Sequence, residues 1–192
     1  MKIGLFFGSF NPIHVGHLII ANHFAEYSDL DEVWLVVTPH NPFKKKKSLL
    51  DDHHRFQLVL RATEDYPKLK PSNIEFGLEQ PNYTINTLVH LVEKYPEHEF
   101  NLIMGLDNLI SFKKWKNYET ILEHHDLYVY PRVSQVSDGP ELSNHKKVHF
   151  IEAPIVEISS TFIRNAIKER KEVQPLIPHK AWTYLDEMNF YK

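Results

Sequence analysis

Residues 3–17 read Ile-Gly-Leu-Phe-Phe-Gly-Ser-Phe-Asn-Pro-Ile-His-Val-Gly-His and lead from an apolar run into the start of an apolar helix. The run at residues 3–7 is short and ends at a Gly-Ser turn, which favours a buried strand. Residues 18–21 are again apolar and continue as a helix pattern. A strand that passes through a tight turn into a helix predicts the first unit of a parallel α/β sheet.

Two histidines, His14 and His17, stand where this predicted helix begins. A helix N-terminus leaves N–H groups unpaired and carries a partial positive charge, so it attracts anions. Gly8 and Gly16 allow a backbone to approach a ligand closely, and Pro12 fixes the turn. If residues 15–17 form the first turn, the two histidines share one face and can reach the same anion. The competing interpretation is a metal half-site, but the segment has no cysteine or carboxylate, and we expect no metal held by side chains.

Strand and helix patterns alternate along the rest of the chain. Further strands are predicted at residues 32–38, 74–76, 100–104, 127–130 and 148–151. Helices are predicted at residues 51–62, 84–95, around 118–122, 161–170 and 179–188, and a surface loop at 134–147. This order predicts an α/β fold, a Rossmann-like, doubly wound and mainly parallel sheet with helices on both faces. No repeat or linker divides the chain, so residues 1–192 are expected to form a single domain.

The composition is that of a compact soluble enzyme. The 192 residues are 42% hydrophobic, enough for one substantial core. A net charge of −3 argues against a dedicated nucleic-acid binder, and the absence of cysteine excludes disulfides and thiolate catalysis. No stretch approaches the ~20 apolar residues of a membrane span, and no signal-peptide pattern opens the chain. We therefore expect a cytoplasmic protein with no membrane or nucleic-acid partner.

A second polar string, Ile-Ser-Ser-Thr-Phe-Ile-Arg, occupies residues 158–164. Ser159, Ser160 and Thr161 can cap a helix while their hydroxyl and N–H groups remain directed at phosphate oxygens. Arg164 follows one helical turn later and can bind the same oxygens. Taken alone, the string favours an ordinary helix cap with a solvated arginine over a phosphate site, and only its pairing with the first string favours binding of a triphosphate.

Together the two strings resemble the HxGH and ISSTxIR signatures of the nucleotidylyltransferase superfamily. Their order, the chain length and the ending at residues 177–191 are most similar to the bacterial nicotinate mononucleotide adenylyltransferases, and the resemblance covers nearly the whole chain. It implies transfer of the adenylyl group of ATP to nicotinate mononucleotide, which yields deamido-NAD and pyrophosphate in NAD biosynthesis. The acceptor, a phosphate monoester with a second pKa of about 6, needs no general base at neutral pH.

The resemblance also implies roles for individual residues. His14, His17 and Arg164 would be catalytic, with His17 at the α-phosphate, His14 at the triphosphate and Arg164 at the β- and γ-phosphates. ATP contacts are implied for Gly8, Ser9, Phe10, His14, Gly16, His17, Gly105, Asp107, Ser159, Ser160, Thr161 and Arg164. Mg²⁺ would accompany ATP, held mainly by the substrate and by water.

The mononucleotide pocket is expected in the middle of the chain. Residues 83–88 (Tyr-Thr-Ile-Asn-Thr-Leu) resemble the family's YTIDTL segment, in which Thr84 would bind the nicotinate carboxylate. Trp115 stands where relatives stack an aromatic ring on the pyridine, although it also suits a buried anchor for the following helix. Lys44 and Arg55 are expected near the substrate phosphates by the same resemblance.

Three positions depart from the family pattern. Asn11 and Asn86 replace aspartates, and Leu106 replaces alanine. None of these changes removes a phosphate ligand, but they bear on the mononucleotide pocket. Asp107, next to Leu106, suits either a ribose contact or a helix N-cap.

Other functions stay open at this point. The acceptor could be nicotinamide mononucleotide or phosphopantetheine, the donor could be a cytidine nucleotide, and a non-catalytic nucleotide-sensing domain would keep the same fold. Trp115 and residues 83–88 favour a pyridine acceptor, and the intact His14, His17 and Arg164 favour catalysis. ATP and nicotinate mononucleotide are the expected partners, and a homo-oligomer is possible.

Overall fold

A computed structural model of the chain describes residues 1–40, 49–131 and 141–192. Its centre is a six-stranded sheet in which every pairing is parallel and the strands lie in the order β3-β2-β1-β4-β5-β6. The strands are β1 (Lys2–Gly8), β2 (Glu32–Val37), β3 (Leu69–Ser72), β4 (Glu99–Gly105), β5 (Leu127–Tyr130) and β6 (Val148–Phe150). The predicted Rossmann-like fold, a single domain, is confirmed, and its sheet is parallel throughout the described chain.

The helices lie on both faces of the sheet. They are α1 (Val15–Tyr27), α2 (Asp52–Thr63), α3 (Thr84–Lys94), α4 (Leu106–Ser111), α5 (Tyr118–His124), α6 (Ser160–Lys168) and α7 (His179–Glu187). One apolar cluster joins α1, α2, α6 and α7 to the sheet, and a second joins α3, α4 and α5 to the opposite face. The predicted helices at residues 51–62, 84–95, 161–170 and 179–188 are confirmed to within two residues at each end.

Strand residues alternate between these two clusters, as the period of a β-strand requires. In β1, Ile3 and Leu5 belong to the cluster of α3 to α5, whereas Phe6 belongs to the cluster of α1, α2, α6 and α7. In β2, Val36 and Leu35 divide in the same way. The nearly continuous apolar character of both strands therefore follows from burial on both faces.

The strand order reverses direction between β1 and β4, which are neighbours in the sheet. The chain leaves β1 towards β2 on one side, while β4 starts the other half of the sheet. Ligands of such folds bind beyond the carboxyl ends of the strands at this switch point. Gly8 ends β1 and Gly105 ends β4, so the residues that follow them face this crevice.

One predicted strand is wrong. Ile74–Gly77 forms a 3-10 helix, and the strand at this edge is β3, which begins five residues earlier. β3 contains Lys70 and Pro71, which argue against a central strand in sequence, but β3 is an edge strand that pairs only with β2. An edge strand tolerates proline because one side of it makes no ladder bonds.

Candidate active site

The loop between β1 and α1 is held in a conformation that its own aromatic ring enforces. Phe10 is buried with a left-handed backbone (φ 43°), and its ring lies under the preceding turn. A Cβ on Gly8 would lie 2.8 Å from Cζ of that ring, which no side chain tolerates. The Phe10 ring therefore requires glycine at position 8, independently of a ligand. Further along the loop, the peptide bond between Asn11 and Pro12 is cis.

His14 and His17 stack at the start of α1. Their ring centroids are 3.7 Å apart with planes inclined by 28°, and the edge of the Phe10 ring meets His17 at 5.0 Å. Helix α1 begins at Val15, three residues before the predicted start, so His14 is its N-cap and His17 lies in its first turn, which meets the condition of the shared-face hypothesis. The backbone N–H of His14 donates to Nδ1 of His17 at 3.2 Å, so the proton of neutral His17 resides on Nε2.

Helix α6 docks its first turn on the same loop. Ser160 Oγ donates to the carbonyl of Pro12 at 2.8 Å, and Arg164 Nη1 donates to the carbonyl of Asn11 at 2.8 Å. Ser159 is the N-cap of α6, with its Oγ accepting from the N–H of Phe162 at 3.2 Å, which confirms the cap inferred from the sequence. The two strings, about 150 residues apart in the sequence, therefore lie in contact.

The remaining groups of this region lie close to that contact. Thr161 is exposed, and its Oγ1 accepts from Arg164 Nη2 at 3.3 Å. A Cβ on Gly16 would lie 3.0 Å from Nδ1 of His14 and 3.1 Å from a methyl group of Val156, so helix α1 and the segment before α6 approach each other closely. The first turns of both helices therefore lie at the loop after β1.

Arg55 has a different environment from the one predicted. Its side chain is completely buried, and its guanidinium donates to the carbonyls of Leu50 (2.9 Å), Ser9 (2.5 Å) and Thr38 (3.0 Å) and to Asp52 Oδ1 (2.5 Å). These four hydrogen bonds leave no exposed N–H surface for a substrate. In the structure this arginine joins α2 to the loop after β1 and to the end of β2, and its contact with a substrate phosphate stays a prediction.

At the end of β4, Gly105 is buried and is the N-cap of α4. Asp107 lies in the first turn of α4 and is exposed, so it is not the helix N-cap that the sequence also allowed. A carboxylate in this position lies at the carboxyl edge of the sheet, next to the strand that carries Gly8. Its contact with a ribose stays a prediction.

The residues of the expected mononucleotide pocket lie on the other face of the sheet. Thr84 is the first residue of α3, and Tyr83 precedes it as N-cap. Trp115 is half-buried, with its ring 5.2 Å from that of Phe112 and packed on the core beside α3 to α5. Lys116 holds its Nζ 4.6 Å from the centroid of the Tyr83 ring, so the two segments meet. Trp115 is thus anchored on one side, and its stacking on a pyridine stays a prediction.

Sequence reasoning missed a buried carboxyl beside this pocket. Glu75 is 1% exposed, and its Oε1 accepts from the hydroxyl of Thr87 in α3 at 2.6 Å. Burial raises the pKa of Glu75, although hydrogen bonds from Thr87 and from Thr38 at the end of β2 oppose the shift. Asn82 donates to the carbonyl of Glu75 and exchanges hydrogen bonds with the backbone of His40. The one sequence signal was a glutamate between the apolar residues 74 and 76.

Lys44, the other predicted phosphate contact, lies outside the described residues. Within residues 1–40, 49–131 and 141–192, no group of three histidine, aspartate or glutamate side chains is placed to hold a metal ion. Nor does any helix in those ranges combine the length and the apolar composition that crossing a bilayer demands.

The site therefore combines two helix N-termini with imidazole, hydroxyl and guanidinium donors. This chemistry binds and stabilises several negative charges, such as those of a polyphosphate. The arrangement is suited to positioning an anionic substrate and stabilising charge that develops during phosphoryl or nucleotidyl transfer.

The comparisons with known proteins agree with this chemistry. The cytidylyltransferase-like family model matches residues 5–166. A protein of Flavobacterium johnsoniae named a probable nicotinate-nucleotide adenylyltransferase is 67% identical over 192 residues, which are the full length of both chains. A protein of Christiangramia forsetii with the same name is 65% identical over 191 residues, covering 100% of this chain and 98% of its own.

Among solved structures, the nicotinic acid mononucleotide adenylyltransferase of Plasmodium falciparum in complex with NaAD superposes with a TM-score of 0.82. The alignment covers 99% of this chain and 97% of that one, with 20% sequence identity. This likeness concerns the fold.

Proposed function

The chain belongs to the cytidylyltransferase-like family and, within it, to the nicotinate-nucleotide adenylyltransferases, and we propose on this premise that it transfers the adenylyl group of ATP to nicotinate mononucleotide. The family model is described as cytidylyltransferase-like, whereas the relatives that match over their full length are named probable nicotinate-nucleotide adenylyltransferases. The products are deamido-NAD and pyrophosphate, and the reaction belongs to NAD biosynthesis.

The observation that carries the proposal is the contact between the loop after β1 and the first turn of α6. Ser160 and Arg164 bind the carbonyls of Pro12 and Asn11, and this places both signature strings at the carboxyl edge of β1. A nucleoside triphosphate needs such a combination, because its three phosphates must be bound along their length while one of them reacts.

In the reaction, an oxygen of the 5′-phosphate of nicotinate mononucleotide attacks the α-phosphorus of ATP. A new P–O bond forms as the bond between the α-phosphorus and the bridging oxygen to the β-phosphate breaks, and both electrons of that bond leave with pyrophosphate. The attacking phosphate is already largely dianionic at neutral pH, since its second pKa is about 6. The enzyme therefore has to orient two anions and offset their repulsion.

We propose individual roles that the geometry supports. His17 carries its proton on Nε2 because Nδ1 accepts from the backbone of His14, so Nε2–H can donate to the α-phosphate as charge accumulates there. Arg164, Thr161 and Ser160 stand at the first turn of α6 for the β- and γ-phosphates. His14 stacks on His17 and fixes the plane of its ring.

We propose Mg²⁺ as the divalent cation that accompanies ATP. The donors that the crevice presents are N–H, hydroxyl, imidazole and guanidinium groups, which suit phosphate oxygens and not Mg²⁺. This donor set fits an ion that is held chiefly by phosphate oxygens and water. When bound, Mg²⁺ neutralises phosphate charge.

The test is pyrophosphate release from ATP with nicotinate mononucleotide, nicotinamide mononucleotide or phosphopantetheine as the acceptor. We expect release with nicotinate mononucleotide and a lower kcat/KM with the amide. No release with either pyridine mononucleotide refutes the proposal, and release with phosphopantetheine alone identifies a different member of the superfamily. Equal kcat/KM values for acid and amide would refute the nicotinate assignment only.

We also infer where and in what state the enzyme works. We propose that it works in the cytoplasm, which agrees with ATP and a small mononucleotide as substrates, and fractionation of cells tests this. A homo-oligomer stays a prediction, which light scattering on the purified protein checks.

A further inference from the structure

Asn11, in the loop after β1, is the centre of a small buried network. It is 2% exposed, and its Oδ1 accepts from the hydroxyl of Tyr191 at 2.7 Å and from the N–H of Leu50 at 3.1 Å. An amide oxygen has two lone pairs, so these two donors occupy both of them. The side chain of Asn11 thereby ties the loop to two remote parts of the chain.

Tyr191 lies 180 residues from Asn11 in the sequence. Its ring packs against the cluster of α1, α2, α6 and α7, and its backbone has φ 66°, in the left-handed region. Burial raises the pKa of Tyr191, while the nearby charges of Arg164 and Arg55 oppose the shift. The hydroxyl is therefore a neutral donor at physiological pH, placed near the two arginines that also bind this loop.

The backbone carbonyl groups of the loop also accept hydrogen bonds from residues that are distant in the sequence. The carbonyl of Ser9 accepts a hydrogen bond from the Arg55 guanidinium at 2.5 Å. The carbonyls of Asn11 and Pro12 accept from Arg164 and Ser160. Carbonyl oxygens repel phosphate oxygens, so a loop that binds a triphosphate has to keep them directed at other donors.

We propose that Tyr191 is a positioning residue of the triphosphate loop, which acts by holding the Asn11 side chain. The backbone of Asn11 is fixed from one side by Arg164, and Tyr191 fixes its side chain from the other. The inference rests on the proposed function for the identity of the bound anion. It adds a residue that touches no substrate and for which the resemblance implied no role.

The test compares Tyr191→Phe with Tyr184→Phe. The Tyr184 hydroxyl bonds His54 Nδ1 at 2.8 Å, so the control removes a similar hydrogen bond from α7 without touching the loop. Since one hydrogen bond contributes about 1 kcal/mol, we expect Tyr191→Phe to lower kcat/KM for ATP about five-fold. KM for nicotinate mononucleotide should stay within about two-fold of the wild-type value, because the expected pocket of Thr84 and Trp115 is on the other face.

Two further measurements decide the interpretation. In an Asn11→Ala background, Tyr191→Phe should have no additional effect on kcat/KM for ATP, since its partner is gone. A lower melting temperature with unchanged kinetics, or an equal loss in both backgrounds, would overturn the proposal. Binding of a non-hydrolysable ATP analogue, measured by calorimetry, should weaken by a similar factor. That measurement needs no acceptor, so it separates failure of this inference from failure of the proposed function.

Discussion

The substitution Arg55→Lys tests whether this arginine contacts a substrate or stabilises the fold through internal hydrogen bonds. The guanidinium is fully buried and donates to three carbonyls and to Asp52. Lysine keeps the positive charge but replaces a rigid planar fork by a single ammonium group on a flexible stem. One ammonium cannot reach partners on α2, the loop after β1 and the end of β2 at the distances that the fork spans.

The size of the effect follows from these bonds. If lysine keeps one of the four, three are lost, and at about 1 kcal/mol for each the free energy of unfolding falls by about 3 kcal/mol. For a protein of this length, that corresponds to a decrease in melting temperature of about 6 to 12 °C. Because Ser9 and the start of the loop lose a partner, kcat/KM for ATP should fall as well.

The measurements are urea unfolding and steady-state kinetics with each substrate varied in turn. Arg61→Lys is the matched control: Arg61 lies on the same helix, but among the described residues its guanidinium donates to Gln57, one turn earlier, and covers the ring of Tyr184. We expect the control to lose less than about 1 kcal/mol. A stable Arg55→Lys variant with a strongly raised KM for nicotinate mononucleotide would show that Arg55 binds substrate and refute this reasoning.

Three further substitutions test the site. His17→Ala should lower kcat more than it raises KM for ATP, because its Nε2–H donates to charge that develops at the α-phosphorus; steady-state kinetics check this, and a change in KM alone contradicts it. Trp115→Ala should raise KM for nicotinate mononucleotide with little effect on KM for ATP in the same assay. In the wild type, the free energy of unfolding should decrease as the pH rises, and Glu75→Gln should remove the part of this decrease that Glu75 causes. Burial raises the pKa of Glu75 in the folded protein above its usual 4.5. The protonated carboxyl therefore contributes its full stabilisation below pH 4.5, and this stabilisation is lost as the pH rises through the pKa of the folded protein. Urea unfolding at about pH 5 and about pH 8 measures it, and the gap between wild type and variant should change in favour of the variant at the higher pH.

The fold could be predicted where local pattern and tertiary position agree. β5 occupies residues 127–130 as predicted, and the strands and helices around it begin and end within two residues of the pattern, because their side chains alternate or repeat towards a core. The prediction of a strand at residues 74–76 is wrong for a physical reason. Ile74 and Phe76 alternate about Glu75 as in a strand, but Glu75 is the buried member, held by Thr87. Residues 74–76 thus alternate in burial as a strand would, but the charged residue is the buried one and the two apolar residues are partly exposed.

The candidate site could be predicted only in part. His14 and His17 are adjacent to a strand end and a helix start, so local rules locate them. Arg55 and Tyr191 owe their positions to partners from distant segments, and their side chains carry no local pattern that reports those partners. An arginine in sequence suggests a phosphate ligand by charge alone, whereas the burial of Arg55 and its contacts with three loop and strand carbonyls are visible only in the structure.

The charge balance of the loop gives a reason for an amide at position 11. Helices α1 and α6 both begin at this loop, and their partial positive charges add to the charge of Arg164. Asn11 accepts two hydrogen bonds from neutral donors, Tyr191 and the N–H of Leu50, without adding a negative charge next to a bound polyphosphate. Aspartate could accept the same two bonds, but its carboxylate would oppose the attraction that the helices provide. Since Arg55 and Arg164 both lie near Tyr191 and both bind carbonyls of this loop, the loop conformation and its positive potential depend on the same few contacts.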